Sequence, residues 1–245
     1  TIDPFAKVAG NGIKRLLEVG KKVTVGFLED ECNELNKRFF TFHNKKRPYI
    51  ILKWAESQDG FIAPLSKDKQ EPVWLTNLFS RQLVHKWRTE EQAILVGTNT
   101  VLDDNPKLDA RDFSGNNPVR IVLDKSGKIS KNYHVKDNSQ KTIFITESEN
   151  FISTENCIYE NAIFDIHLIS SICDILYKND IQSIIIEGGS KTLQSFIDAN
   201  LWDEARVFKG KKIFQNGTTA PIISGNPVAG FDIMNDELKI FKNYD

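Results

Sequence analysis

Apolar and polar positions along this chain follow two periods, and each change of period marks an element. Ile13, Leu16 and Leu17 lie at helical spacing within Gly12 to Val19, and Gly20 provides the stop. Lys22 to Phe27 then alternates, with Val23 and Val25 set between polar neighbours, as a half-buried strand does. Helical period returns over Glu29 to Phe40, where Leu28, Cys32, Leu35 and Phe39 form one stripe. Thr41 to Arg47 is polar and basic and is expected to be a linker. Beyond it, Tyr49 to Trp54 reads as an apolar strand interrupted by Lys53. Ala93 to Val96, Val119 to Leu123, Thr142 to Ile145 and Ser183 to Ile186 read as further short strands. Phe79, Leu83 and Trp87 fall at i, i+4 and i+8 of a helix that Thr76 could cap. Leu168, Ile169, Ile172, Cys173, Ile175 and Leu176 line another helix, and Leu193, Phe196 and Ile197 open one more. Strands alternating with helices predict an α/β fold, a mostly parallel sheet with helices on both faces.

Composition narrows the partners. The 245 residues suffice for one large domain and a small appendage, and the formal net charge is -1. That balance, with lysines and arginines scattered, gives no electrostatic reason to expect nucleic acid or a membrane surface. No apolar run approaches the roughly 20 residues that span a bilayer, and no signal peptide opens the chain. Cys32, Cys157 and Cys173 stand far apart without C-x-x-C spacing, which fits reduced thiols in a cytoplasmic protein. A tetrahedral zinc site wants four clustered ligands, and His43, His85, His134 and His167 show no such spacing. The chain begins at Thr1 and its only methionine is Met234, so a piece of a longer protein is expected.

Three features could carry chemistry. In IIIEGGSKTLQSF (Ile184 to Phe196) an apolar strand runs through Glu187, Gly188 and Gly189 straight into a helix. Glycines there can let a phosphate reach the amides of a helix N-terminus, or can simply make a tight turn. The glycine-to-lysine spacing of Ser190, Lys191 and Thr192 is not that of a Walker loop. Lys53, between Leu52 and Trp54, must snorkel, pair with an acid or face a cavity, and Glu187 is a conceivable partner. Arg88 closes a helix and Arg111 follows the DDNP turn; each can bind phosphate bidentately or merely favour a helix dipole. Asp103 and Asp104, adjacent in a turn, read as a cap and a solvated charge.

These stretches occur together in a known order. RPYIILKWAESQDGFIA, WLTNLFSRQLVHKWR, AILVGTNTVLDDNPKLDAR, PVRIVLDKSG and IIIEGGSKTLQSFIDANLWDEARVF resemble the reductase domain of the bacterial bifunctional riboflavin deaminase-reductases over most of Arg47 to Ile223. The resemblance implies a dihydrofolate-reductase-like fold and a cytidine-deaminase-like α/β remnant before it. The expected division is 1–46 for that remnant with its linker and 47–245 for the reductase. Ala55, Trp74, Thr100, Asp104 and the run Gly189, Ser190, Lys191, Thr192, Leu193, Gln194 and Ser195 match positions lining the family's NADPH site. Arg88, Leu108, Arg111 and Glu187 match positions contacting a phosphorylated ribosylaminopyrimidine, and Lys53 a lysine of the substrate cleft. The family reduces 5-amino-6-(5-phosphoribosylamino)uracil to its ribitylamino form, and a homo-oligomer, dimer or higher, is implied.

The chain departs from the family at Pro72 and Val73, where a serine commonly precedes the tryptophan. It departs again at Lys125, which could meet the cofactor's 2′-phosphate or be a solvated turn lysine. The alternatives are a reductase of the undeaminated diaminopyrimidinone, a silent nucleotide-binding or assembly module, and a dihydrofolate reductase. Neither H-x-E nor P-C-x-x-C occurs, so neither catalytic zinc nor deamination is expected.

Overall fold

The apolar runs of the sequence become the middle of one nine-stranded sheet, and the computed structural model describes residues 1–5, 8 and 10–244 of the chain. Helices α1 (Asn11–Glu18), α2 (Glu29–Leu35) and α3 (Lys37–Lys45) come first. Strand β1 (Tyr49–Glu56), strand β2 (Phe61–Pro64), helix α4 (Leu78–Glu90), strand β3 (Ala93–Gly97), helix α5 (Thr98–Asp104) and strand β4 (Val119–Leu123) follow. Next are β5 (Thr142–Thr146), β6 (Cys157–Asn161), α6 (Leu168–Lys178), β7 (Ser183–Ile186), α7 (Ser190–Asp198) and β8 (Glu204–Lys209). The last strands are β9 (Gly217–Thr219), β10 (Ala229–Ile233) and β11 (Asp236–Lys242).

The sheet order is β10-β11-β8-β1-β7-β3-β4-β5-β6. Seven strands, β8 through β6, run parallel, and β11 and β10 add antiparallel at one edge. Strands β2 and β9 pair separately. The expected mostly parallel sheet with helices on both faces is therefore what forms. Alternation along β1 sorts its two faces. Ile50, Leu52 and Trp54 join the core under α6 and α7, whereas Tyr49 and Ile51 pack toward Val84 and Trp87 of α4. Lys53 and Ala55 share the second face, which aims a lysine at α4.

Several local expectations fail for physical reasons. Lys22 to Phe27 forms no strand; Val25 and Phe27 are exposed and no strand pairs with the segment, and an unpaired strand leaves its amides without partners. The part before β1 is thus helical, not α/β, among the described residues. The helix expected over Glu29 to Phe40 breaks at Asn36, whose side-chain amide donates to the Cys32 carbonyl at 2.9 Å. Thr41 to Arg47 is no linker, since α3 continues to Lys45 and buries Phe42 against Tyr177 of α6 at 4.6 Å between centroids. Asn77, not Thr76, caps α4, its Oδ1 accepting from the amides of Phe79 and Ser80 at 2.9 and 3.0 Å. The buried face of α4 is Ser80, Val84, His85 and Trp87, which leaves Phe79 exposed.

Candidate active site

The parallel strands end on one side in a cleft of about 820 Å³. A ligand site at the carboxyl ends of parallel strands is the usual arrangement for such sheets. Lys53 reaches it from β1, Glu187 from the residue after β7, and Arg88 from the last turn of α4. Glu187 is anchored through its own amide, which donates to the Leu95 carbonyl at 2.9 Å. Arg88 forks onto it, Nη2 to Oε2 at 2.6 Å and Nε to Oε1 at 3.2 Å, and also donates from Nη1 to the Asp109 carbonyl at 2.9 Å. Lys53 Nζ stands 3.9 Å from Glu187 Oε2. The Lys53–Glu187 pairing that the sequence left open is present, with Arg88 as its third member.

Burial would raise the Glu187 carboxyl, but Arg88 and Lys53 overcome it and hold Glu187 down at about 2. It is a carboxylate at every working pH and cannot donate a proton. Burial pulls the Lys53 ammonium below the usual lysine value, with Glu187 opposing and Arg88 assisting. Lys53 is consequently the member of the cluster from which a proton leaves most readily.

The other wall is the turn into α7. Gly189 is its N-cap, extended at φ -62° and ψ 168°, and no side chain caps the helix. Gly188, Gly189, Ser190 and Lys191 of this turn line the cleft, and the first amides of a helix have no partner within it. A Cβ on Gly188 would lie 2.9 Å from Thr192 Cβ, and one on Gly97 would lie 3.0 Å from Thr192 Oγ1, so Thr192 is wedged between two glycines. A Cβ on Gly189 would meet only Thr100 Oγ1, at 3.9 Å, which leaves the approach to the helix end open.

Of the residues expected from the sequence, Ala55, Trp74, Thr100, Asp104, Leu108 and Arg111 also line this cleft. Arg111 pairs with Asp109 at 2.6 Å, and Asp104 is engaged by Lys67. Leu108 packs its side chain into the core and holds φ 55°, so it offers the cleft backbone rather than side chain. Five residues stand elsewhere. Thr192 is the wedge just described, and Leu193 lies in the hydrophobic core. Gln194 bonds Asp198 at 2.8 Å and Ser195 returns to the Lys191 carbonyl at 2.9 Å. Lys125 is exposed and faces Glu147 at 3.5 Å. A helix turns successive side chains about its axis, so a seven-residue run cannot line one wall.

Sequence reasoning missed Arg81 and His85, which line the cleft from α4. Their spacing with Arg88, i, i+4 and i+7, was the available signal. It missed Lys67 and Gln70 as well; Gln70 Nε2 donates to the Leu102 carbonyl at 2.6 Å, so the segment after β2 crosses to α5. Among the described residues no group of three or more His, Cys, Asp or Glu could hold a metal, and no helix is long and apolar enough to cross a membrane.

Comparison with known proteins places the chain. The family model described as the RibD C-terminal domain matches residues 48–234. The riboflavin biosynthesis protein RibD of Aquifex aeolicus is 35% identical over 223 residues, covering 89% of this chain and 61% of that protein. RibD of Bacillus amyloliquefaciens is 34% identical over 243 residues, covering 96% of this chain and 64% of its own. The chain thus spans just over three fifths of these relatives. A Thermotoga maritima crystal structure, described as a diaminohydroxyphosphoribosylaminopyrimidine deaminase/5-amino-6-(5-phosphoribosylamino)uracil reductase, superposes with TM-score 0.84 at 32% identity, over 96% of this chain and 68% of that one.

Proposed function

Because the chain belongs to the RibD C-terminal domain family, we propose that it is the reductase of riboflavin biosynthesis that converts 5-amino-6-(5-phosphoribosylamino)uracil to its ribitylamino form with NADPH. The observation that carries this reading is the buried Lys53–Glu187–Arg88 cluster facing the open N-terminus of α7 across one cleft. The α7 turn fits a dinucleotide, since uncapped amides and the helix dipole favour its phosphates and Gly189 lets them close. Ser190, Lys191 and Thr100 stand beside that approach. NADPH, when bound, supplies the hydride that ribose C1′ receives.

The protein's residues handle the rest. Reduction opens the ribose, so the C1′–O4′ bond breaks and O4′ takes a proton. Lys53 Nζ delivers that proton, its ammonium made a better acid by burial. Glu187 stays ionised, accepts N–H donors of the pyrimidine, and holds the lysine in place. Arg88 keeps Glu187 ionised and fixes its plane. Within this reading residues 1–46 are the tail of a deaminase unit and 47–245 the reductase, with α3 packed across the division.

Turnover of purified protein with NADPH, offered the deaminated and the undeaminated pyrimidine in parallel, tests the proposal. Oxidation of NADPH coupled to the deaminated compound is the expected result. Preference for the undeaminated compound would reassign the substrate, and inactivity toward both would end the reductase reading.

A further inference from the structure

Resting on that reading of the cleft, we propose that Arg38 of α3 is a positioning residue for it: through Glu91 it fixes the last turn of α4, and with it the Arg88 fork on Glu187. That turn has three anchors. Trp87 lies under the Arg206 guanidinium, its ring centroid 4.4 Å from Cζ. Arg88 meets Glu187 at 2.6 Å. Glu91, whose amide closes the helix on the Trp87 carbonyl at 3.0 Å, is held by Arg38. Arg38 Nε donates to Glu91 Oε2 at 2.7 Å, and its Nη2 donates to Oε1. The end of α4 is thus fastened to α3 on one side and to the cleft on the other.

Charge makes the α3 side necessary. The Glu91 side chain has no exposed surface, and Glu204 and Arg206 of β8 are also buried. Two carboxylates there share one guanidinium, with Arg206 at 2.6 Å from Glu204 and 3.8 Å from Glu91. The balance comes from α3, which sets Arg38 on Glu91 and Lys37 on Glu204 at 3.0 Å. A buried carboxylate stripped of its cation is driven toward water, and it takes its backbone along. For Glu91 that backbone is the joint between α4 and β3, where the next amide, of Gln92, donates to Ser183 Oγ at 3.1 Å. The family model begins at residue 48, so both α3 cations lie outside the stretch it matches.

Lys37 and Arg38 are neighbours on one helix and both make buried pairs. Arg38 pairs with the residue that ends α4, Lys37 with one on β8. That difference separates positioning from stability. The Lys53 ammonium supplies a readout inside the cleft, because Glu187 favours its charge and Arg88 opposes it. An Arg88 that drifts with the end of α4 opposes it less, so the alkaline limit of turnover moves to higher pH.

The test compares Arg38→Met, Arg38→Lys and Lys37→Met in the full chain by denaturant melts, kcat against pH and hydrogen exchange. Arg38→Met and Lys37→Met both melt earlier than wild type. Only Arg38→Met loses kcat, about tenfold near neutral pH, with its alkaline limb raised and KM for NADPH within about twofold of wild type. Arg38→Lys keeps the charge without the fork, so it folds even where Arg38→Met does not and shifts less in the same direction. Amides of Trp87 to Gln92 exchange faster, relative to those of β3, in the Arg38 variants alone. Wild-type kcat and limb in every Arg38 variant that folds, or an equal loss of kcat in Lys37→Met, would overturn the assignment. Hydrogen exchange needs no turnover, which separates this inference from the reading beneath it. Wild-type inactivity overturns the reductase reading, whereas exchange at the end of α4 that ignores the Arg38 substitutions overturns the positioning.

Discussion

At the end of β7 the cleft holds a carboxylate met by Arg88 at 2.6 Å and Lys53 at 3.9 Å; two residues on, Gly189 begins a helix whose first amides no side chain caps. The two neighbours differ in what they need. The Glu187 cluster is held together without ligand, because both of its cations, Lys53 and Arg88, face the one carboxylate. The α7 turn has no side-chain acceptor for its first amides, which in the proposed function is where the dinucleotide's phosphates bind. A built-in ion cluster stores both stability and chemistry, so damage to it should show in folding and in turnover. A helix end left open stores only affinity, so damage there should show in cofactor binding alone.

Removing the carboxylate should do the most damage. Glu187→Gln leaves Arg88 and Lys53 buried without a counter-charge, which costs about 3–5 kcal/mol of stability. Turnover should fall about 10²- to 10³-fold in the fraction that remains folded. Denaturant melts beside kcat would check this, and a variant with wild-type values for both would reduce Glu187 to a bystander.

Lys53→Met separates chemistry from stability. Glu187 keeps its Arg88 fork, so folding should change by less than about 1 kcal/mol while kcat drops about 10²- to 10⁴-fold. Equal losses of kcat in Lys53→Met and Lys53→Arg would identify proton delivery, since arginine keeps the charge but holds its proton. Near-normal kcat in Lys53→Arg would leave the lysine as a counter-ion.

On the cofactor side, Gly188→Ala drives a methyl to 2.9 Å from Thr192 Cβ and shifts the turn. KM for NADPH should rise several-fold, about 1 kcal/mol of binding, with KM for the pyrimidine little altered. The paired variant Gly188→Ala with Thr192→Ser relieves part of the crowding and should recover part of the affinity. A matching rise for the pyrimidine would mean that the turn serves both ligands and that the comparison draws its line in the wrong place.

The smallest effects are in pH. Glu187 has a folded-state value of about 2 against 4.5 for the ordinary group, so its stabilisation is present above about 4.5 and is lost as pH falls toward 2. Acid melts of wild type should show that loss, and Glu187→Gln should lack it. In the proposed reaction Lys53 acts as the protonated amine, and burial holds its value below 10.5, so kcat should decline on an alkaline limb beginning below that pH. An acid limb between pH 4 and 7 assignable to Glu187 would contradict its position in the cluster.

Much of this was legible in the sequence where one residue broke a pattern. Lys53 interrupts an apolar strand, and Glu187 ends another just before two glycines; each departure marks a member of the cluster. The parallel sheet followed from continuous apolar runs such as Ile184 to Ile186, which are buried on both faces. Other features obey no local period. β8 reads as charged, yet Glu204 and Arg206 are buried because they bond each other at 2.6 Å and Arg206 also faces Glu91 at 3.8 Å. Lys22 to Phe27 alternates as a strand should, but alternation supplies no partner strand. Arg81 and His85 were hidden for a further reason. Polar residues at helical spacing signal solvent unless a third element closes over them, and here Trp74 and the Asp109–Asp112 turn do.

In the proposed reaction this cleft carries hydride to ribose C1′ while Lys53 protonates O4′. Turnover of the phosphorylated ribosylaminouracil with NADPH deuterated at nicotinamide C4, read by NMR of the product, tests it most directly. One deuterium at C1′ of the ribitylamino product, formed by wild type and at least about 100-fold more slowly by Lys53→Met, is the predicted result. NADPH that binds but is never consumed, or deuterium found at any other carbon, would contradict it.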